Sequence, residues 1–416
     1  MMLPFLPPGS SRLLVAKNTV SQLVGRVVSS ASILVATILI ARTFGPQGYG
    51  ELTKITSYVA LFYLLADFGI NAMYLQLKKE DGDETWNTLL GLRLVGSILL
   101  MFMAIAILSF LPRGSSQGYT DGVRFGIIVF APAILFQAII TTTNALFQEK
   151  LRYDLSMVAV VCGSLVTLGL VWLVTVSTAP LVGPVAAVIA FLVGSGVTAL
   201  LALVLVKQFG TIRVKFDAVV AKQFLLASIP LGLTLLFNQI YFRIDSIILT
   251  LTRSTIEVGV YGFAYKFFDV ALVLPTFFMN SVYPLLLTVS GDKFRHMLWR
   301  SCIFLLVTSI VLVILMWMGS PLITRIRPDF AGSVGALRIL SLSLPLFFVS
   351  SLTMWTIIAQ KRQMILIPIY GVSMIVNIIL NSVFIPSHGY IAAAWITVLS
   401  EAIVLLATGV IAVTGL

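Results

Sequence analysis

Ionisable side chains occur deep inside apolar stretches of this sequence, where a charge needs a partner or water. At 1.5 Å per helical residue, Arg26 lies about 13 Å beyond Lys17. Asp67 lies at nearly the same depth on the next apolar stretch, counted back from Lys78. A charge at the bilayer centre costs about 2.5 to 3.5 kcal/mol, so Arg26 and Asp67 are expected to pair with each other or to face a wet cavity.

A second group of charges occurs in the second half of the chain. Arg243 and Asp245 precede a short loop, and Lys266 and Asp269 follow it, so that all four lie in a similar layer of two neighbouring spans. Hydrogen-bonding side chains occur nearby: Asn238, Tyr241, Tyr261, Tyr265 and, deeper, Asn280. The sequence therefore concentrates polar chemistry at one depth.

Two interpretations fit these charges. In one, they are neutralised pairs that set helix register. In the other, the cations face water and bind an anionic head group, for which arginine offers a two-pronged donor. The functional hypothesis assigns substrate binding to Arg26, Asn238, Tyr241, Arg243, Tyr265 and Lys266. It assigns coupling or charge balance to Asp67, Asp245 and Asp269.

The remaining reactive residues do not indicate an enzyme. Glu401 is alone near the middle of the last span, and we interpret it as a hydrogen-bonded structural carboxyl rather than a proton carrier. No nucleotide-binding glycine motif, H-E-x-x-H or C-x-x-C occurs. The cysteines, Cys162 and Cys302, lie in apolar spans. The D-x-D at Asp81–Asp83 has no nucleotide-binding domain around it, so we expect no catalytic site, metal or cofactor.

The elements that carry these residues are predicted to be membrane helices. Hydrophobic residues make up 59% of the chain and charged residues 10%, and the mean hydropathy is +1.05. Uncharged runs approach or exceed the ~20 residues that cross a bilayer. The sequence predicts an all-α polytopic membrane protein of about twelve helices, at residues 17–42, 54–76, 88–112, 122–147, 155–177, 182–206, 223–251, 259–287, 299–319, 337–360, 364–385 and 389–413.

Basic residues in the short loops predict the orientation. One side holds Arg12, Lys17, Lys78, Lys79, Lys150, Arg152, Lys207, Arg213, Lys215, Lys222, Lys293, Arg295, Arg300, Lys361 and Arg362. The other side holds Arg42, Lys54, Arg113, Arg124, Arg253, Arg325 and Arg327. The bias places both termini in the cytoplasm and accounts for most of the net charge of +11, so nucleic-acid binding is not indicated.

The sequence also contains an internal repeat. At an offset of 212, Tyr49-Gly50 aligns with Tyr261-Gly262, and Lys54 aligns with Lys266. At an offset of 206, the segments that begin at Pro180 and Pro386 align. These matches predict two six-helix lobes of the same orientation, residues 1–206 and 223–416, joined by a cytoplasmic linker at 207–222. Parallel repeats of this kind place a substrate site at the midplane between the lobes.

Three segments carry a family resemblance. Leu39 to Gly50 with Ala66-Asp-Phe-Gly69 resembles the first hairpin of polysaccharide flippases. Tyr241 to Leu249 with Val258 to Lys266 is similar to their seventh and eighth helices, and Val376 to Glu401 to their last hairpin. These proteins are the Wzx-type O-antigen and capsule translocases of the multidrug/oligosaccharidyl-lipid/polysaccharide exporter superfamily. The resemblance covers essentially the whole chain.

The resemblance implies a flippase in the inner (cytoplasmic) membrane that moves undecaprenyl-diphosphate-linked oligosaccharide by alternating access. It also implies membrane lipid, a glycan polymerase and glycosyltransferases as partners. Arg26, Arg243 and Lys266 are the positions that would hold the diphosphate. Two alternatives stay open. One is an ion-coupled drug or metabolite exporter of the same superfamily, and the other is a membrane glycan polymerase or ligase.

Overall fold

The chain folds into helices, as its apolar composition requires. A backbone that crosses lipid must satisfy its hydrogen bonds internally, and a helix does so within one segment. The computed structural model describes residues 10–77, 84–114, 116–177 and 183–414, and these contain helices and turns but no strand. The prediction of an all-α polytopic protein is confirmed. The loop with Lys78, Lys79 and the D-x-D, and the turn that begins at Pro180, lie outside the described residues.

Fifteen α-helices follow one another in the described residues. They are α1 (Ser10–Asp67), α2 (Ile70–Leu77), α3 (Glu84–Leu108), α4 (Asp121–Phe130), α5 (Ala133–Glu149), α6 (Tyr153–Val176), α7 (Gly183–Val206), α8 (Ala218–Thr252), α9 (Thr255–Ala271), α10 (Val273–Leu286), α11 (Asp292–Gly319), α12 (Leu322–Ile326), α13 (Ala331–Ser341), α14 (Leu344–Ala359) and α15 (Leu366–Thr414). Short 3-10 turns connect some of them, at Lys207–Phe209, Pro328–Phe330 and Gln363–Ile365.

Two of these helices are long enough to cross a membrane twice. Ten segments of the described chain are long and apolar enough to span, and α1 and α15 each contribute a segment with a kink. The kinks lie at Gly45 (φ 66°) and Gly389 (φ 64°), in the left-handed region that glycine adopts without strain. Because each kink divides its segment into two lengths of membrane size, the described residues accommodate about twelve crossings.

Helix α11 shows why the surroundings must be lipid. Its buried residues are Ser301, Leu305 and Ser309, which recur every fourth position and form one narrow stripe. Large apolar side chains such as Phe304 and Val307 are exposed on the rest of the helix. In water, a helix with this distribution would expose most of its apolar surface, whereas in a bilayer that surface meets hydrocarbon. The chain is therefore a multi-pass membrane protein.

One compact unit contains residues 1–39, 59–110 and 125–232. Within it, α6 and α7 approach each other closely because glycines face threonines. A Cβ atom on Gly163 would lie 1.8 Å from Thr198 Oγ1, and one on Gly194 would lie 1.8 Å from Thr167 Oγ1. Small residues allow such close packing of membrane helices. Asn87 of α3 also accepts the backbone N–H of Arg213 at 2.8 Å, which ties the linker to this unit.

The other compact unit contains residues 40–58, 111–124 and 233–416. It therefore includes two segments from the first half of the sequence together with most of the second half. The predicted lobe boundaries, drawn from the repeat, do not follow this division. The lobe boundaries stay a prediction, because they describe which segments repeat in the sequence and the compact units describe which segments are in contact. Helix α8 contains Pro230, and it passes from one unit to the other between Gly232 and Leu233.

Candidate functional site

The predicted pairing of Arg26 with Asp67 is wrong. Asp67, the last residue of α1, instead forms an ion pair with Arg93 of α3, at 2.5 Å between Arg93 Nη2 and Asp67 Oδ1. The Arg93 side chain is 1% exposed and the Asp67 side chain 30%. Depth along the chain had suggested Arg26, but another cation of similar depth lies on the neighbouring helix.

Arg93 is a buried cation that the sequence analysis missed. Its Nη1 atom lies 3.4 Å from Thr142 Oγ1 on α5, and its Nε atom has no hydrogen-bond partner among the described residues. The signal was present in the sequence. Arg93 follows Glu84 by about 13 Å of helix, the same depth that drew attention to Arg26. In the sequence, however, Arg93 stands immediately before the uncharged run at 94–112, where a loop charge is also expected.

Arg26 is exposed on α1. It forms no hydrogen bond or ion pair with any residue in the described part of the chain. The guanidinium is thus free to take an anion. Its neighbour Gly25 packs against Met157 of α6, which fixes the side of α1 that faces the protein.

Helices α8 and α9 bring together the charges of the second half. Arg243 Nη2 lies 3.7 Å from Asp269 Oδ2, and the two side chains are 31% and 30% exposed. The guanidinium carbon also lies 5.7 Å from the centre of the Tyr265 ring. The Arg243 Nε atom has no partner among the described residues. The predicted layer of charges is therefore real, but this ion pair is long.

Asp245 is not part of that pair. It is buried, its Oδ2 accepts the hydroxyl of Tyr261 at 2.5 Å, and its Oδ1 accepts the backbone N–H of Ser246 at 2.6 Å. Lys266 forms no hydrogen bond or ion pair with a described residue. Among the described residues an ion pair therefore forms between Arg243 and Asp269, whereas Lys266 is influenced by the charge of the same Asp269 without an ion pair of its own.

The polar residues predicted around these charges have different surroundings. Tyr241 is buried and donates its hydroxyl to Glu401 Oε2 at 3.0 Å. Tyr265 is also buried, and it donates to the backbone oxygen of Phe242 at 3.2 Å. Asn238 is half-buried on α8 and has no hydrogen bond within the described chain. Asn238 is thus the polar side chain of the three that keeps its donors and acceptors for a ligand.

Lys54 is a second buried cation, although the charge pattern of the sequence places it among the loop residues. It is 1% exposed and donates to Gly118 O at 2.9 Å and to Thr255 Oγ1 at 2.8 Å. Nearby, Gly118 donates its N–H to Thr250 O at 2.8 Å. Burial raises the pKa of Tyr119, which follows Gly118 in the loop between α3 and α4. Lys54 therefore binds three segments of its unit together.

The same unit contains a close helix crossing beside Lys54. A Cβ atom on Gly50 would lie 2.0 Å from Thr255 O, and one on Gly259 would lie 1.9 Å from Pro46 O. Arg327 donates to the carbonyl oxygens of Arg42 at 2.9 Å and Thr43 at 3.3 Å. A cation at these free carbonyls also complements the helix dipole. The aligned Tyr-Gly segments of the repeat are therefore parts of a packed crossing.

The geometry of the α8 and α9 cluster suits a large anion better than a metal ion. Arg243 and Lys266 equal Asp245 and Asp269 in number, but the Asp245 oxygens already accept a hydroxyl and an amide N–H, so that Asp269 is the carboxylate that competes directly for the donors of the cations. No group of three potential metal-binding side chains occurs in the part of the chain that the structure describes. The arrangement can attract and hold a phosphate-like group, with Asp269 as the competing partner of Arg243.

The chain matches a model of a known protein family. A family model described as polysaccharide biosynthesis protein matches residues 15–290. No curated protein sequence matches the chain.

Solved structures show where this fold occurs. The lipid II flippase MurJ in an inward closed conformation superposes with a TM-score of 0.76 at 18% identity, over 94% of this chain and 86% of that one. An inward-facing multidrug resistance MATE family transporter of the MOP superfamily gives 0.75 at 13% identity, over 93% and 95%. An outward-facing MATE structure gives 0.63 at 14% identity, over 96% and 94%. At these identities the similarity shows a shared fold.

Proposed function

The chain belongs to the polysaccharide biosynthesis protein family, and on that premise we propose that it moves undecaprenyl-diphosphate-linked oligosaccharide across the cytoplasmic membrane. The substrate would be a repeat unit of O-antigen, capsule or exopolysaccharide. The lipid tail would remain in the bilayer while the head group crosses inside the protein. No covalent bond changes in this process, so the proposed activity is transport rather than catalysis.

The observation that carries this proposal is the pair of cations on α8 and α9 whose hydrogen-bond donors are not fully engaged. Lys266 forms no hydrogen bond or ion pair with a described residue, and Arg243 is held by a long ion pair with Asp269, whose charge also acts on Lys266. A diphosphate carries roughly two negative charges, and even one unpaired charge costs several kcal/mol in hydrocarbon. Arginine offers bidentate donors to phosphate and lysine a compact point charge. Arg26, exposed and unpaired within the described chain, is the third candidate.

Binding at these cations must stay moderate. A site that held the head group equally tightly in every conformation would shift no equilibrium and would release product slowly. Asp269 supports moderate binding because it lies 3.7 Å from Arg243 and can take back the guanidinium when substrate leaves. Asp245 is part of this cluster, but it does not compete for substrate in the same way. It accepts the Tyr261 hydroxyl of α9 and the Ser246 N–H of α8, and so it links the two helices.

The likeness to MATE transporters favours one competing function, the export of a small cationic drug or metabolite. A site for a cation would be expected to present carboxylates without balancing cations. In the cluster of α8 and α9, the two carboxylates, Asp245 and Asp269, are accompanied by two cations, Arg243 and Lys266. These balancing cations favour an anionic substrate over a cationic one.

Complementation of a bacterial strain that lacks its own polysaccharide flippase tests the proposal. Arg26→Ala should abolish complementation although the protein reaches the membrane at a normal level, and Lys266→Arg should retain part of it because the charge is kept. Arg300→Ala is the matched control, since Arg300 is an exposed cation on α11, and it should complement normally. Normal transport by Arg26→Ala and by Lys266→Ala would overturn the cationic site.

A further inference from the structure

A stripe of polar side chains follows one face of α5 from its carboxyl end towards the middle of the span. Its members recur every three or four residues, at Gln137, Thr141, Asn144 and Gln148, and we call them the α5 stripe. The first three are half-buried, and Gln148 is exposed. At 1.5 Å per residue, Gln137 lies about 20 Å before Lys150. The α5 stripe therefore reaches far into the apolar thickness of the helix bundle.

Two side chains of a neighbouring segment in the same compact unit extend this polar face. Asn71 of α2 donates its side-chain N–H to Thr141 O at 3.2 Å, and Asp67, four residues earlier, is 30% exposed. Between them the helix is broken, because Phe68 and Gly69 have φ values of 40° and 73°. Irregular backbone at membrane depth occurs where it is buried in protein or lines a water-filled cavity. The half-exposed carboxylate beside the break favours a water-filled cavity.

The amides of this face keep hydrogen-bonding capacity that the described residues do not use. Asn71 Oδ1 and Gln137 Oε1 have no partner in the described chain. Gln137 Nε2 makes one long contact, at 3.4 Å to Thr141 Oγ1. Asn144 accepts the Ser156 hydroxyl at 2.6 Å, but its Nδ2 atom donates to no described residue. Unpaired amides are costly in hydrocarbon, so this face must meet water or a polar ligand.

The packed side of the same helix shows how polar groups are treated where no ligand is needed. Thr142 and Thr143 are buried, and their hydroxyls donate to carbonyl oxygens of the preceding turn at 2.7 Å and 3.0 Å. Hydroxyls that bond to their own helix need no outside partner. The side chains of Gln137 and Asn144 make no such bond. The α5 stripe is therefore not a continuation of the packed side.

The charge of this face suits a neutral ligand. The Asp67 carboxylate is paired at 2.5 Å with Arg93, which is enclosed, and the other members of the face are uncharged. The face thus has no net charge, and it offers amide donors and acceptors about one helical turn apart. An amide side chain can both donate and accept a hydrogen bond, as a hydroxyl group can. A ligand rich in hydroxyl groups matches this pattern.

We propose that the α5 stripe, with Asn71 and Asp67, binds the hydroxyl groups of the glycan. This inference rests on the proposed function and adds a sugar site to the cations that are assigned to the diphosphate. A site built to hydrogen-bond hydroxyl groups discriminates strongly against ligands that lack them. The face therefore lets the protein distinguish a lipid diphosphate that carries a glycan from the bare lipid diphosphate.

Binding to the full chain in nanodiscs tests the sugar site. The protein is titrated with undecaprenyl diphosphate and with the same lipid carrying short oligosaccharides of hexoses and N-acetylhexosamines. The wild type should bind the glycan-carrying lipid more tightly. Gln137→Leu and Asn71→Leu should each weaken binding of that lipid about three- to tenfold, the usual worth of one hydrogen bond, and leave binding of the bare lipid unchanged. Thr143→Val, on the packed side of α5, is the matched control and should change neither affinity.

The outcomes separate this inference from the proposed function. Equal wild-type affinity for the two lipids, or an equal loss of both affinities in Gln137→Leu and Asn71→Leu, would overturn the sugar site while the proposed function stands. Binding of neither lipid by the wild type would count against the proposed function and would remove the sugar site with it.

Thiol labelling tests whether the face is open to water. In a chain whose Cys162 and Cys302 have been replaced, Gln137→Cys and Asn144→Cys should react with a small water-soluble reagent, and the glycan-carrying lipid should slow this reaction more than the bare lipid. Thr143→Cys should stay unreactive in the folded protein. No reaction at either position, or equal slowing by both lipids, would overturn the sugar site. A disulfide between two copies of Gln137→Cys would also overturn it, because the face would then contact a second chain.

Discussion

At the scale of single residues, the cations of the apolar segments differ in what holds them. Arg93 is enclosed and depends on Asp67, Lys54 is enclosed and depends on neutral oxygens, and Arg26 is exposed without a partner in the described chain. A buried charge that loses its partner is strongly destabilising, whereas an exposed one is not. Residues that look alike in sequence therefore separate into structural cations and available ones.

The Asp67–Arg93 pair gives a prediction about stability. Asp67→Asn should lower the free energy of unfolding by about 1 to 3 kcal/mol, because it leaves the Arg93 charge buried without its carboxylate. Adding Arg93→Met should recover much of that loss, since the uncompensated charge is then gone. Thermal unfolding of the purified protein measures both.

Arg26→Ala is the control for that experiment, because an exposed arginine without a described partner should leave thermal unfolding unchanged. A double variant that is less stable than Asp67→Asn alone would contradict the assignment of the pair as the source of the loss.

The same residues show how far sequence reasoning reached. Depth along an apolar span correctly placed Arg243, Asp245, Lys266 and Asp269 in one layer, because helical rise converts residue number into depth. Depth alone could not choose partners, since Arg26 and Arg93 lie equally deep and only helix packing decides between them. Nor could it show that the Tyr241 hydroxyl is engaged by Glu401, which is 160 residues away in sequence.

At the scale of helices, small residues determine how closely the segments pack. The crossing of α9 with residues 46–53 of α1 has no room for a side chain at Gly259, where a Cβ atom would lie 1.9 Å from Pro46 O. The repeat pointed to this region through the aligned Tyr-Gly pairs. Gly50 and Gly262 of these pairs could equally have belonged to turns. The alignment alone therefore did not reveal that the two segments are in contact.

This crossing provides a prediction about packing. Gly259→Ala should lower the free energy of unfolding by about 1 to 3 kcal/mol, the usual cost of overpacking a close contact. Gly409→Ala, in the interior of α15 with nothing within 4 Å of the added atom, should leave stability equal or slightly improved. Denaturation of the two variants in the same detergent provides the comparison. Equal losses in both variants would rule out the contact as the cause.

At the scale of the whole molecule, the apolar exterior and the loop charges together predict topology. The described helices supply about twelve crossings, and the basic residues predominate on one side. Positively charged loops stay in the cytoplasm during insertion, so both termini are expected there. The orientation is thus a prediction from the charge of the loops.

Cysteine labelling of intact cells tests that orientation. After Cys162 and Cys302 are replaced, a single cysteine near Arg327 should react with an impermeant reagent from outside. One near Lys215 should react only after the membrane is opened. Labelling of both positions from the same side would contradict twelve crossings with cytoplasmic termini.

The central claim, translocation of a lipid-linked glycan, is tested most directly with purified protein in liposomes. Undecaprenyl-diphosphate-linked oligosaccharide carrying a fluorescent sugar is incorporated into both leaflets, and an impermeant quencher is added outside. Wild-type protein should expose the inner-leaflet sugar to the quencher over time, whereas a variant with both Arg243→Ala and Lys266→Ala should expose only the outer-leaflet share. Quenching in the wild-type liposomes that never exceeds the outer-leaflet share, under any pH gradient, would contradict the claim.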